Sequence, residues 1–119
     1  KNITFPTDAK LLHAAINGLN RIAKKHGVRL RQSYIRIAKR AAMMAGRYAH
    51  AKQFNRHRRE LRILRTRLGR IIRDIQRRIV GKAELETAFA WPLSCASQIR
   101  SPITYRIFRT FRIDGFFIQ

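Results

Sequence analysis

Metal-dependent or general acid–base chemistry needs two or three carboxylates converging on one point. The 119-residue chain offers six: Asp8, Glu60, Asp74, Glu84, Glu86 and Asp114. Asp74 has Arg70 four residues before it and Arg77 and Arg78 three and four after; Glu60 has Arg56 four before. At those spacings the expectation is intrahelical ion pairs rather than a reactive centre. Asp8 reads as a helix-start residue. His13, His26, His50 and His57 do not fall at metal-ligand spacing; the last two would stand about 10 Å apart along a helix, too far to share a zinc. Cys95 has no candidate base near it in sequence and reads as an inert packed thiol. The glycines at 18, 27, 46 and 69 make no phosphate-binding loop. No catalytic residue, metal ligand or cofactor is therefore expected in this chain.

The guanidinium groups carry a stronger signal. Between Arg56 and Ile79, Leu61, Leu64, Leu68, Ile71, Ile72, Ile75 and Ile79 recur at three- and four-residue steps, as on one face of a helix. Arg59, Arg62, Arg70, Arg73 and Arg77 recur with the same period and centre almost opposite. This is a helix docked on a core by one face and holding a positive field on the other. Arg29, Arg31, Arg36, Lys39 and Arg40 form a second candidate patch. A run of charge usually means a solvated face, but here acidic partners are scarce and like charges repel at four-residue steps. A polyanion is the expected partner. No aromatic residues interleave with these arginines, which favours phosphate contact over base stacking.

The whole-chain balance agrees. Lys and Arg number 27 against 6 Asp and Glu, a formal charge of +21, which disfavours a compact monomer without an anionic partner. Arg makes bidentate bonds to phosphate, so nucleic acid ranks ahead of an anionic membrane surface. Hydrophobic residues at 45% argue against disorder throughout, and the length suits one small domain. No apolar run reaches the roughly 18 residues of a membrane span, and no signal peptide is visible. With a single cysteine, a cytoplasmic location is expected. The chain opens on Lys rather than Met, as expected of a piece of something longer.

These signals need helices to position them. Lys1 to Pro6 reads as a short extended lead-in, after which Thr7 or Asp8 caps a first helix. Leu12, Ala15, Ile16, Leu19, Ile22 and Ala23 share its buried face, and Gly27 sits where a C-terminal cap belongs. A basic connector, Val28 to Gln32, leads to Ser33, expected to cap a second helix. Ile35, Ala38, Ala41, Ala42, Ala45, Tyr48 and Ala49 make its buried side, with Met43 and Met44 also placed in the core. The apolar stripe of the 61–79 stretch is rotated from this register, so a kink or turn falls near His50 to Asn55, with Asn55 as the next cap; one continuous helix with two partners is the alternative. The third helix is expected to pack on a different surface from the second, with part of its charge and stripe meeting protein outside this chain. Lys82 to Ala90 forms a short fourth helix stopped by Trp91-Pro92. Beyond Ser94, aromatic and β-branched residues give a hairpin at most. The expected fold class is mainly α: a small bundle of three to four helices over residues 1–93, one of them long, basic and amphipathic, with an irregular or weakly β tail over 94–119.

Several segments also resemble a known family. Ile3-Thr4-Phe5-Pro6-Thr7-Asp8-Ala9-Lys10-Leu11-Leu12 is similar to the segment after the first catalytic strand in bacterial insertion-sequence transposases of the DDE (RNase H-like) superfamily, insertion-sequence-five type. The likeness continues through Leu30 to Tyr34 and Ala38 to Ala42. It is strongest in Ala45-Gly46-Arg47-Tyr48-Ala49-His50-Ala51-Lys52-Gln53-Phe54 and in Leu64 to Ile75, and covers about Lys1 to Arg100. The resemblance implies DNA transposition by an acid triad holding divalent metal such as Mg²⁺. This chain corresponds to the helical stretch between the first and second acids, so no catalytic residue carries over; Asp8 matches the family's Pro-Thr-Asp turn. Pro102 to Gln119 departs from the family, which implies a truncated, frame-shifted or incompletely read transposase gene. The implied partners are DNA, the rest of the transposase core or a second copy, and not a membrane. An independent RNA-binding or ribosome-associated protein is the alternative, and a membrane-active amphipath the third.

Overall fold

A computed structural model describes residues 8–100. The lead-in and capping expectations on residues 1–7 and the hairpin expectation on residues 101–119 lie outside them. Within them are four helices: α1 (Asp8–Lys25), α2 (Ile35–His50), α3 (Phe54–Ile79) and α4 (Ala83–Arg100), with no strand among the described residues. The fold is a helical bundle, mainly α as its periodicity implies.

Helix α3 is the hub. It packs against all three other helices, while α1 also lies against α2 and α4. Its stripe of Leu61, Leu64, Leu68, Ile71, Ile72, Ile75 and Ile79 is buried along its whole length. Leu12, Ile16 and Leu19 of α1, Ala38, Ala41 and Ala45 of α2, and Phe89, Leu93, Ala96 and Ile99 of α4 complete the core. The small α2 side chains let its backbone approach α3 closely. So the stripe does not wait for protein outside the chain, and α3 does pack on α2. The chain reverses between them, which also rotates one apolar register against the other.

That reversal is a Schellman turn. The Gln53 N–H donates to the Tyr48 carbonyl (2.8 Å), the Lys52 N–H to that of Ala49 (3.1 Å), and Lys52 takes the left-handed conformation, φ 61°. Helix α1 ends the same way: Val28 donates to Ala23 (2.8 Å), Gly27 to Lys24 (3.2 Å), with Gly27 at φ 73°. The glycine made one turn readable, whereas a lysine did not mark the other. A side chain in that conformation costs about 1 kcal/mol. We therefore expect Lys52→Gly to stabilise the chain by about 0.5–1 kcal/mol, read as a raised denaturation midpoint. An unchanged or lowered midpoint would contradict this account of the turn.

Several expected details differ. Ser33 and Asn55 do not cap: α2 starts after Tyr34 and α3 after Gln53, neither with a side-chain capping bond, and Asn55 lies inside α3. Ile35 (44%) and Met43 (51%) are exposed, not core. Pro92 does not stop α4, which runs on to Arg100, so residues 94–100 belong to the bundle and not to the tail. Proline in a helix interior removes one hydrogen bond and crowds the preceding turn. Here Phe89, Pro92, Leu93, Ala96 and Ile99 make one buried face at helical spacing, and their burial outweighs that cost. At its far end, the Arg100 Nε donates to the Arg65 carbonyl (3.2 Å). Its guanidinium lies over Gly69, where an added Cβ would meet Nε at 2.6 Å.

Candidate nucleic-acid interface

The connector between α1 and α2 runs antiparallel to the C-terminal half of α3. Successive contacts show it: the Arg67 guanidinium lies 5.3 Å from the centre of the Tyr34 ring, the Arg31 N–H donates to Asp74 Oδ2 (2.8 Å), and Arg29 and Arg78 line one hollow. The same register continues up the hairpin, where a His57 Nδ1–H donating to the Ala45 carbonyl (2.8 Å) ties α3 to α2. Asn20 fastens the other side, its amide donating to the carbonyls of Ile16 (2.8 Å) and Ser33 (2.9 Å).

Asp74 is the latch of this arrangement and the one charged residue among the buried described residues. Besides Arg31, its carboxylate accepts from Arg78 Nε (3.0 Å) and pairs with Arg77 Nη2 (3.7 Å). Burial is the largest influence on its pKa and raises it. The Arg31 and Arg78 hydrogen bonds and the charges of Arg78 and Arg77 together outweigh burial and hold the group below the ordinary carboxylate value. The pairs with Arg77 and Arg78 are those its spacing predicts. The bond to Arg31, across 43 positions, is not. Two other expected pairs do not form among the described residues: Arg70 lines the cleft without pairing with Asp74, and Arg56 lies 5.9 Å from the Tyr48 ring centre instead of pairing with Glu60.

Above the latch is a cleft of about 410 Å³ lined by Arg31, Gln32, Tyr34, Arg70, Arg73 and Arg77, with Asp74 and Ile71 beneath. Four arginines from two segments line it, and both oxygens of the acid in its floor already accept a hydrogen bond, from the Arg31 N–H and from Arg78 Nε. Phosphate oxygens suit such a rim, because planar guanidiniums grip them bidentately. Tyr34 contributes its shape: its backbone is left-handed at φ 59°, which turns the connector sharply into α2 beside the cleft. A second hollow continues along the connector, lined by Gly27, Val28, Arg29, Arg78, Lys82 and Leu85.

All ten expected contact residues are exposed. The structure gathers Arg31, Arg70, Arg73 and Arg77 at the cleft and puts Arg29 in the hollow next to it. Arg59 and Arg62 lie on the N-terminal half of α3, outside both. Arg36, Lys39 and Arg40 line neither; Lys39 is near His13 of α1, whose pKa is lowered first by burial and then by that lysine. The second patch is thus split. Tyr34, Arg67, Arg78 and Lys82 were missed, and only the pairing of connector with helix reveals them.

Asp8 pairs with Arg65 (3.3 Å). His13 accepts from the Asn17 amide (3.1 Å). Burial pushes the Cys95 thiol up to about 11, so it is protonated at neutral pH. Among the described residues no three His, Cys, Asp or Glu side chains could hold a metal ion, and no helix is long and apolar enough to cross a membrane.

No family profile matches the chain, and no solved structure matches it significantly. A 54-residue stretch, 45% of the chain, is 61% identical to part of an uncharacterized protein, ORF8 in the nfe locus of Rhizobium meliloti. The matched stretch spans about a quarter (26%) of that relative's length.

Proposed function

We propose that this chain is the helical segment of an insertion-sequence transposase of the DDE superfamily, and that it grips the DNA backbone without cutting it. The observation that supports DNA contact is the cleft: Arg31, Arg70, Arg73 and Arg77 share one rim, with the single carboxylate of Asp74 to offset them. The ordered sequence blocks from Ile3 to Ile75 support the family. Phosphate contacts fix position and not sequence, so binding is largely indifferent to base order. The engagement of Asp74 supports an inactive fragment, since each of its oxygens already accepts a hydrogen bond, from Arg31 or from Arg78.

The test is fluorescence anisotropy with duplexes of unrelated sequence across a salt series. If each cleft arginine neutralises one phosphate, log affinity falls against log salt with a slope of roughly −3.6. Binding that ignores salt, or no binding at low salt, overturns the reading. Preference for duplex RNA would favour the ribosome-associated alternative. We expect no strand cleavage with Mg²⁺ or Mn²⁺; metal-dependent nicking lost in Asp8→Ala or Asp74→Ala would show an active centre after all.

A further inference from the structure

We infer a second nucleic-acid contact of a different kind: a platform at Trp91 on which one unpaired base stacks. It rests on the reading of the arginine cleft as a DNA-backbone seat and adds to it a preference for DNA that carries a single-stranded segment. Trp91 is the chain's one tryptophan. It stands on α4 among Phe89, Pro92 and Leu93, all buried, yet is itself 55% exposed. Beside it opens a hollow of about 460 Å³ with Ile22, Ala88 and Pro92 for walls and Arg21 and Lys25 at its edge.

Three features choose the occupant. The walls are apolar and one is a broad indole, which suits a flat aromatic ring. Lys25 at the edge is cationic and, among the described residues, no carboxylate lines the hollow, so an occupant with negative charge beside its ring fits it. A nucleotide has both parts, and stacking on an aromatic face is how unpaired bases are held without sequence preference. Continuity is the third. The hollow ends at His26; Gly27, Val28 and Arg29 line the next one; Arg31 lines the arginine cleft. Lys25 to Arg31 spans at most roughly 20 Å of chain, so one short DNA can touch all three. That span puts Trp91 within reach of a strand leaving a duplex seated on the arginine cleft.

Because Trp91 is the sole tryptophan, its fluorescence reports this site alone. Oligothymidylate added to the full chain should quench it saturably, and a blunt duplex much less. Trp91→Ala should weaken binding of fluorescein-labelled oligothymidylate by roughly 5- to 100-fold, as for the loss of one stacked base. Trp91→Phe should recover part of the loss, and blunt-duplex affinity should stay as it is in both variants. Absence of quenching while duplex binding persists overturns the platform and leaves the cleft standing. Equal quenching by polyglutamate would make the site a protein dock. A blue shift with phosphatidylglycerol vesicles but no response to oligothymidylate would make it a membrane contact. Loss of both DNA responses overturns both readings.

Discussion

Replacing Asp74 by Ala is expected to lower the stability of the chain by on the order of 2–3 kcal/mol. The substitution strands the Arg31 N–H, which now has a charged acceptor at 2.8 Å, and leaves Arg77 and Arg78 with no counter-charge on this face. The backbone bond carries most of the effect. Both arginine side chains are well exposed, at 71% and 42%, so their ion pairs are screened and add little. In a bundle of this size that corresponds to about 8–20 °C in midpoint temperature. Asp74→Asn keeps an acceptor for Arg31 and should cost about half as much. The pH dependence separates charge from shape. Because the folded-state pKa is depressed, the carboxylate's stabilisation is present above its unfolded value of about 3.9 and is lost as pH falls through the lower folded value. Denaturant midpoints of the native chain and Asp74→Asn should therefore converge in acid. A gap that stays the same as pH falls would mean that the charge contributes nothing.

Arg70→Gln, Arg73→Gln and Arg77→Gln together should abolish most of the DNA affinity and little of the stability. All three side chains are exposed, and reducing the charge of +21 relieves repulsion. Three lost phosphate contacts remove about 2.7 from the salt slope. If affinities converge near 1 M salt, the loss at 0.1 M is several hundredfold, roughly the antilogarithm of that change. The informative control is an equal loss of charge elsewhere. Arg36, Lys39 and Arg40 also carry three charges but line neither cleft nor hollow. Replacing them with Gln should lower affinity far less. Equal losses from the two triple variants would mean that net charge, and not the converging rim, holds the DNA.

Much of the bundle was legible because its signals are local. The α3 stripe announces both the helix and its buried face, and Gly27 marks where α1 ends. Legibility failed where a local rule was outweighed at a distance. Pro92 is a helix breaker by its own chemistry, and only burial of Phe89, Leu93, Ala96 and Ile99 against α1 and α3 carries α4 through it. Lys52 fills a position at which glycine is the usual marker, so the turn was placed without being recognised. At the candidate interface the arginines of α3 could be read directly. Their meeting with Arg31 could not, because it depends on a hydrogen bond between residues 43 positions apart.

The hub position of α3 has a consequence for how the chain can vary. From Leu61 to Ile79 this helix turns one side to its neighbours and the other to its field, so adjacent positions answer to unrelated demands. Ile72 is buried and Arg73 beside it is exposed; Ile75 is buried and Arg77 exposed. Substitutions on the charged side can retune affinity in small steps without repacking anything, whereas changes on the apolar side reach three helices at once. Asp74 breaks this separation. It lies between the two sides, and a change there alters stability and the shape of the rim together.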